Sequence, residues 1–599
     1  MVACIACRAT VLAAPAPLRP DSAVLGLAAP SDTVDFALHL PLQNVAELDA
    51  LIENQSTPQS PLYHHFLSPA QFRARYGPDP RRVQTVLAVL RGAGLRAAQT
   101  STQIVSASGP AAAVERLFST RLSRVAPNGT GRIRIAALTP YRLPGPLVGA
   151  GAVALSLRAG KRMRPMAVRA PRPLAPANRS AAEGEYWADD LKQAYAFPAF
   201  TTANGAGVSI AIVGAGDFSD TDLALYLQHE RVGPLSNDLA PAPQTTHFYF
   251  PGAPQFDYSI DSDSFEADLD AQQIALTAPG AALTGFVTSD GTDISFLTAY
   301  ATIVELNRWD IVSSSFALCE LFYLAPYNGG VDFSDFLHAQ NDIFKQGNAQ
   351  GITFVTASGD SGALSCPAVG YFNNPPTSPQ TVYDSVLSIN ALASLPNTIA
   401  VGGGDLRTSH IPGKLRSTYV SERGNVFINP LSDPYGTNNL LRTVFAATGG
   451  ASAIFSRPHY QRLVDTGSTM RTVPDVGGHT GSISGGSVDT EYFDGTIEPV
   501  VGTSASAPDF AALVAIKAGV QHSRLGLENP DIYTLSAHNG QLGYWYFHQS
   551  NPGRDGFYHY TRADQGYNYI YGVGSPHGAN FALLPFSPLA GDPQTATNP

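Results

Sequence analysis

Apolar positions in the first part of the chain alternate between a strand spacing and a helix spacing. Residues 35–42 (DFALHLPL) alternate apolar and polar side chains, whereas residues 44–54 carry apolar side chains at helical spacing after a candidate N-cap, Asn44. Three more segments follow the same two patterns: helices over 79–94 and 111–122 and a strand over 103–109. This order predicts a small α+β, ferredoxin-like unit over residues 31–157.

The rest of the chain alternates apolar, β-branched runs with helical stretches. Each run ends in Gly, Ser or Asp, which is typical of buried parallel strands in an α/β sheet. The runs are 207–216, 281–289, 310–316, 351–359 and 397–404. They predict a doubly wound, mainly parallel sheet over residues 187–590, with functional residues at the carboxyl ends of its strands.

Between the two units lies a stretch rich in Arg, Pro and Ala. Residues 158–186 contain almost no large apolar side chains and cannot build a core of their own. We therefore expect an exposed, cleavable linker, although an ordinary interdomain tether has the same composition.

Charge divides the chain at the same place. Residues 1–180 hold 21 Lys and Arg against 8 Asp and Glu, whereas the remainder holds 16 against 40. The acidic remainder repels phosphate backbones, so we expect no nucleic-acid partner. Four cysteines are too few for a disulfide scaffold, and Cys319 and Cys366 are expected to be either bridged or two buried thiols.

The N-terminal residues favour export. Residues 2–17 are apolar and small and end in an Ala-rich stretch, so segment 1–30 is expected to be a signal peptide or N-terminal extension. No segment reaches the roughly 18–20 apolar residues that span a membrane. We expect a secreted or periplasmic monomer without a membrane partner.

A candidate nucleophile lies in the segment VGTSASAPDFAALVAI (501–516). Ser504 is set among small residues at the start of an apolar helix, where free backbone N–H groups help to stabilise an oxyanion. The alternative is that these small residues only cap a buried helix. A serine nucleophile also needs a base.

Carboxylates are the candidate base, because no histidine lies in a motif suited to that role. Glu266 and Asp270 are four residues apart on the predicted helix of segment 261–280, so both project from one face. Two adjacent carboxyls can share a proton, and a carboxylate still works as a base in acid, where histidine is protonated. The alternative is that these acids only favour the helix dipole.

A third carboxylate follows a buried strand. Asp360 lies in a Gly-flanked turn within GITFVTASGDSGA (351–363). Once protonated, this side chain would donate a hydrogen bond to an oxyanion, which again indicates acid pH. The alternative is a turn-forming aspartate.

Together these segments resemble the sedolisin (serine-carboxyl peptidase) family, in particular its kumamolisin-like members, from about residue 33 to 586. The motifs stand in family order: YHHFLSPAQFRARYGP (63–78), DLKQAYAFP (190–198), the Glu266–Asp270 helix, SGDSGA (358–363), GGASAIFSRPHYQ (449–461), RTVPDVGG (471–478) and GTSASAP (502–508). The resemblance implies a subtilisin-like fold behind an activation prosegment. It implies Ser504 as nucleophile, Glu266 as its base, Asp270 as the residue that orients Glu266, and Asp360 as oxyanion donor.

Two departures from the family pattern concern substrate and metal. Ala317 stands where the family has a glycine after its Ser-x-Ser strand end, which narrows a substrate-binding edge. The family's calcium site uses two aspartates, and this chain has Gln549 and Asn568 at those positions. Because Ca²⁺ depends on carboxylates for affinity, we expect no tight calcium binding and no other cofactor.

The function expected from this sequence is an acid-active serine-carboxyl endopeptidase made as a self-processing zymogen, with peptides, proteins and its own prosegment as partners. Two alternatives stay open. A neutral subtilisin-like protease would need a catalytic histidine, and an inactive binding protein on the same scaffold would keep the fold without the reaction.

Overall fold

The computed structural model describes most of the chain. The described residues are 22–127, 133–170, 186–230, 242–259, 263–369, 385–409, 417–424, 426–428, 444–481, 488–540, 545–548 and 566–584. Predicted features that fall elsewhere, including residues 2–17 and Gln549, lie outside these ranges.

The N-terminal unit is an α+β domain, as the apolar spacing predicts. Its strands are β1 (Ser22–Leu27), β2 (Thr33–His39), β3 (Arg96–Gln99), β4 (Ile104–Pro110), β5 (Leu122–Pro127), β6 (Arg134–Ala137) and β7 (Val153–Ala154). Its helices are α1 (Val45–Gln55), α2 (Pro69–Tyr76), α3 (Pro80–Gly92), α4 (Ala111–Phe118) and α5 (Gly145–Gly149). Strands β3, β4, β2 and β7 form an antiparallel sheet in that order, and β1, β5 and β6 form a second one.

A short linker region carries two strands, β8 (Arg164–Pro165) and β9 (Val168–Arg169). The expectation of an exposed linker is wrong for its first half: Arg158, Lys161, Met163 and Ala170 are all buried. These residues are buried because the segment packs against the large unit and pairs with its strands, which composition alone does not reveal. Residues 171–185 lie outside the described ranges.

The large unit contains the remaining elements. Its strands are β10 (Ser209–Gly214), β11 (Gln244–Tyr249), β12 (Ala282–Val287), β13 (Ile311–Ser314), β14 (Phe316–Ala317), β15 (Thr353–Ala357), β16 (Cys366–Pro367), β17 (Ser385–Val386), β18 (Ile399–Ser409), β19 (Thr418–Arg423), β20 (Phe427–Ile428), β21 (Val444–Phe445), β22 (Gly450–Ser456), β23 (Met470–Val473), β24 (Val476–His479), β25 (Asp489–Phe493), β26 (Thr496–Val501), β27 (Phe547–His548) and β28 (Ser575–Pro576). Its helices are α6 (Ala188–Ala194), α7 (Asp220–Glu230), α8 (Asp263–Thr277), α9 (Asp293–Leu306), α10 (Ser334–Ala349), α11 (Thr503–Gln521), α12 (Asn529–Ala537) and α13 (Gly578–Leu583).

A mainly parallel sheet forms the centre of the large unit. Its order is β11-β12-β10-β13-β15-β18-β19, with β24 pairing with β18, and only the β18–β19 pair is antiparallel. Side chains of β10 alternate between two cores: Ile210 and Ile212 pack with α8 and α11, whereas Ala211 and Val213 pack with α9 and α10. Helices therefore cover both faces, and the prediction of a doubly wound, mainly parallel sheet is confirmed.

Basic side chains of the N-terminal unit and linker meet acidic ones of the large unit. The pairs are Arg73 with Glu305, Arg134 with Asp290, Arg158 with Asp293 and Arg162 with Asp263. The Arg158–Asp293 pair is buried, and its nitrogen and oxygen are 2.6 Å apart. The basic and acidic parts of the sequence therefore form ion pairs with each other where the N-terminal unit and linker contact the large unit.

Candidate active site

Ser504 lies in the first turn of the buried helix α11, which follows strand β26. The residue between strand and helix, Gly502, has a φ of 147°, a conformation that L side chains rarely adopt. A Cβ at Gly502 would lie 2.5 Å from the Met166 carbonyl oxygen and 2.7 Å from Asp360 Oδ2. Glycine is therefore required here both by its backbone angle and by the close approach of these two groups.

Helix α8 carries Glu266 and Asp270 on one face, as their spacing predicts, and both side chains are buried. Burial and the neighbouring Asp270 raise the pKa of Glu266 well above its ordinary value. Burial raises the pKa of Asp270 to about 8, although a hydrogen bond from Ser315 opposes this rise. Glu266 Oε1 and Asp270 Oδ2 have no hydrogen-bond partner among the described residues.

Two kinds of donor hold this pair of carboxyls in place. The Ser315 hydroxyl donates to Asp270 Oδ1 at 2.6 Å. The backbone N–H groups of Met166 and Ala167 donate to Glu266 Oε2 at 2.6 and 2.5 Å. The linker backbone therefore lies directly against Glu266.

The Ser504 hydroxyl lies near Glu266 without a well-formed hydrogen bond. It is close enough to counteract part of the rise in the pKa of Glu266. Within the described part of the chain, however, Ser504 Oγ has no partner of normal hydrogen-bond geometry. Such contacts between a nucleophile and its base are often long before substrate is correctly placed.

Asp360 follows β15 in a turn that faces the start of α11. Its Oδ1 accepts hydrogen bonds from the Thr503 backbone N–H at 2.8 Å and from the Thr503 hydroxyl at 2.7 Å. Its Oδ2 is buried and has no donor among the described residues. Burial raises the pKa of Asp360 to about 7, so below that pH Oδ2 carries a proton that it can donate.

Glu266 interacts with Asp270, Ser504 and Asp360, so all four residues singled out in the sequence lie together at one site, here called the cleft, and the linker backbone lies against Glu266. Sequence reasoning missed three contributors: Ser315, Thr503 and the Met166–Ala167 backbone. Ser315 lies within the Ser-rich end of the strand pattern over 310–316, and this was the available signal for it. No sequence signal marks the linker backbone, because backbone contacts leave no residue pattern.

No histidine of the described residues occupies the position that a neutral serine protease requires. His479 forms a buried pair with Asp489 at 3.6 Å, and burial lowers the pKa of His479 to about 3. Its Nδ1 accepts from the Leu406 backbone N–H. Among the described residues the titratable side chain that interacts with Ser504 is Glu266, and no histidine is hydrogen-bonded to Ser504 Oγ, so the described residues give the neutral alternative no support.

Of the two calcium-site positions that the family resemblance implies, the structure describes Asn568. Asn568 Oδ1 already accepts from the backbone N–H groups of Ile570 and Tyr571, at 2.9 and 2.8 Å. Gln549 lies outside the described residues. Within the described ranges, no group of three or more His, Cys, Asp or Glu side chains is arranged to hold a metal ion.

Of the two states left open for the cysteines, the structure has the bridged one, Cys319–Cys366. This disulfide ties the segment after β14 to β16. No helix among the described residues is long and apolar enough to cross a membrane.

Comparison with known proteins gives consistent matches. The model of the pro-kumamolisin activation domain matches residues 20–150. Sedolisin from Pseudomonas sp. (strain 101) is 27% identical over 95% of this chain and 89% of its own length. Kumamolisin from Bacillus sp. (strain MN-32) is 28% identical over 68% of this chain and 65% of its own length. Xanthomonalisin from Xanthomonas sp. (strain T-22) is 27% identical over 92% of this chain and 66% of its own length.

The fold has a solved counterpart as well. The structure of Pseudomonas sedolisin, a serine-carboxyl proteinase complexed with two molecules of pseudo-iodotyrostatin, matches with a TM-score of 0.52 and 24% identity over 67% of this chain and 98% of that chain. Fold and relatives define the class of protein as a serine-type peptidase that carries an activation prosegment. Within that class, the resemblance to the sedolisin family is confirmed.

Proposed function

We propose that the protein is a secreted, acid-active serine-carboxyl endopeptidase that processes itself from a zymogen. Ser504 is the nucleophile, Glu266 accepts its proton, Asp270 orients Glu266, and Asp360 stabilises the oxyanion. The observation that carries this proposal is the position of the linker backbone against Glu266, which interacts with Asp270, Ser504 and Asp360.

The protonation states of Asp270 and Asp360 suit acid conditions, because burial raises the pKa of both carboxyls. One proton shared between Glu266 Oε1 and Asp270 Oδ2 would satisfy both unpartnered oxygens and leave Glu266 Oε2 as an acceptor. Asp360 is protonated below a pH of about 7, since burial raises its pKa to about 7, and its Oδ2 is then a hydrogen-bond donor inside a buried site. Such a preorganised donor stabilises developing charge strongly, because little water competes with it.

The steps follow from these positions. Ser504 Oγ attacks the carbonyl carbon of a peptide bond while its proton passes to Glu266. Asp360 donates a hydrogen bond to the resulting oxyanion. Glu266 then protonates the leaving amine, and water releases the acyl group from Ser504 by the same route in reverse.

The N-terminal unit is the inhibitor in this proposal. It is held on the large unit by the ion pairs described above, and the linker lies in the cleft against Glu266. A substrate therefore cannot reach Ser504 until the linker leaves. In this proposal the enzyme acts as a monomer, and its partners are its own prosegment and peptide or protein substrates.

The experiment compares two serines of α11. Full-length protein shifted to about pH 3–4 should shorten itself and then digest a denatured protein. Ser504→Ala should abolish both activities. Ser506→Ala is the matched control, because within the described part of the chain its hydroxyl donates to the backbone carbonyls of Gly402 and Thr503. Proteolysis that persists in Ser504→Ala would refute the proposal.

A further inference from the structure

The linker crosses the cleft as two short strands, each paired with a different strand of the large unit. Strand β8 pairs antiparallel with β14, with Arg164 opposite Ala317, and the Met166 N–H donates to the Ser315 carbonyl at 3.2 Å. Strand β9 pairs antiparallel with β26, with Val168 opposite Val501. Addition of a strand to exposed sheet edges is a common way for a protein to bind a peptide.

Between these two pairings lie two residues, Met166 and Ala167, and the peptide bond that joins them is central. Its carbonyl oxygen and Asp360 Oδ2 both lie within 2.7 Å of the point that a Gly502 Cβ would occupy. Its amide N–H donates to Glu266 Oε2 at 2.5 Å. The carbonyl thus faces the proposed oxyanion donor, while the nitrogen faces the proposed base.

The adjacent bond does not meet these conditions. Cleavage of Pro165–Met166 would release the Met166 nitrogen, which also lies near Glu266 but is held by the Ser315 carbonyl as well. The carbonyl beside Gly502 and Asp360 belongs to Met166, not to Pro165. Among the described linker bonds, Met166–Ala167 is the one that places both of its ends against the two groups that the reaction uses.

We propose that Met166–Ala167 is the bond that the zymogen cleaves first, within its own chain. The inference rests on the proposed function of Ser504 and the three carboxyls. It names the activation product: a prosegment that ends at residue 166 and an enzyme that begins at Ala167, upstream of the DLKQAYAFP segment (190–198).

The reaction balances as a hydrolysis. The Ser504 Oγ–carbonyl carbon bond forms as the Ser504 proton passes to Glu266. The Met166–Ala167 C–N bond then breaks as Glu266 returns that proton to the Ala167 nitrogen. Water next attacks the Met166 ester, one water proton passes through Glu266 to Ser504, and Met166 leaves with a free carboxyl group.

The seated linker also indicates a substrate preference. The Met166 side chain is half-buried and packs against the apolar core of the large unit. An unbranched apolar residue before the cleaved bond is therefore the side chain that this site accommodates. A charged side chain in its place would have to be desolvated there.

The test identifies the first cut directly. Full-length protein is shifted to about pH 4, quenched at short times, and analysed by intact mass and N-terminal sequencing. The earliest products should end at Met166 and begin at Ala167. Because the cut is intramolecular, the rate constant should not change with protein concentration.

Two linker variants and a control extend the test. Ala167→Pro removes the N–H that donates to Glu266, and Met166→Lys places a charge that persists at pH 4 against the core. Each should slow the cut at this bond by at least about 100-fold. Ala181→Pro makes the same Ala-to-Pro change elsewhere in the linker and should leave the cut unchanged. Circular dichroism at neutral pH checks that the variants are folded, and mapping of the wild-type products needs no variant.

The outcomes separate the two proposals. A first new N-terminus elsewhere, for example within residues 171–186, with cleavage still dependent on Ser504, would overturn the assignment of the bond and leave the proposed function standing. The same holds if the wild type digests a denatured protein without cutting itself. If the wild type does neither, both proposals fail.

Discussion

Replacement of Asp360 by asparagine keeps hydrogen-bond donation at this position but removes its dependence on protonation. The introduced side chain would keep an oxygen to accept the two hydrogen bonds from Thr503 and would place an N–H₂ group where Oδ2 now lies. That amide donates at every pH, whereas Asp360 donates only while protonated.

The structure sets the size of the effect. Burial raises the pKa of Asp360 from 3.8 to about 7, which corresponds to ~4 kcal/mol against its ionised form. Self-processing of the wild type should therefore slow as the pH rises through about 7. In Asp360→Asn this decline should occur at higher pH, where Asp270 loses its proton, because burial raises the pKa of Asp270 to about 8. Asp360→Ala lacks the donor and should be slower than the wild type by about 10²–10³-fold below a pH of about 7, where Asp360 carries its proton.

The assay is the single-turnover rate of self-processing by the full-length chain, followed by intact mass between about pH 3 and pH 9. Asp509→Asn is the matched control: burial also raises the pKa of Asp509 to about 7, but this side chain bonds to Thr277 on α8. The control should keep the wild-type profile. An unchanged decline near pH 7 in Asp360→Asn would refute the role of Asp360.

Three further predictions concern positioning, stability and metal. Ser315→Ala removes the hydroxyl that donates to Asp270, so kcat should fall by about 10-fold with little change in KM and a pH profile displaced upward, with partial rescue by Ser315→Thr. The free energy of unfolding of the inactive Ser504→Ala protein, measured in urea, should fall between about pH 6.5 and 8. The groups responsible each have a pKa raised by burial to about 7, and they are Glu320, Asp360, Glu422 and Asp509. An increase in the free energy of unfolding over this range would contradict the prediction. Micromolar calcium or a chelator should leave the Tm unchanged, and a calcium-dependent rise would show that Asn568 and its neighbours still bind the ion.

The direction of the stability prediction follows from proton counting. A carboxyl whose pKa is raised by folding stabilises the native state below its unfolded pKa of about 4, and this contribution is lost as the pH rises through the folded value. Buried histidines with lowered pKa, such as His479 and His548, have the opposite effect at lower pH. Above about pH 6.5 they are largely neutral in both the folded and unfolded states, so the carboxyls dominate.

Much of the fold could be predicted because its signals are local. The helix predicted over 79–94 is observed at Pro80–Gly92, and the strand predicted over 103–109 at Ile104–Pro110. The run over 351–359 is the buried parallel strand Thr353–Ala357. Periodicity records which face of an element is buried, and in these segments that face is also the one that packs in the folded protein.

The candidate site could be predicted only in part. Glu266 and Asp270 share a face because of helix geometry, but their position beside Asp360 and Ser504 depends on strands far apart in sequence. The burial of the linker could not be foreseen from composition. It arises from backbone pairing with β14 and β26 and from ion pairs such as Arg162–Asp263, and the composition of residues 158–170 suggests exposure instead.

The most direct test of the account is covalent trapping of the nucleophile. An activated peptide ester, which acylates a serine faster than the acyl group is released, is mixed at about pH 4 with the processed enzyme. The reaction is quenched in strong acid at short times, and the acylated residue is located by peptide mass spectrometry. The account predicts one adduct, on Ser504, which is lost in Ser504→Ala and kept in Ser506→Ala. No adduct at acid pH, or an adduct that persists in Ser504→Ala, would contradict it.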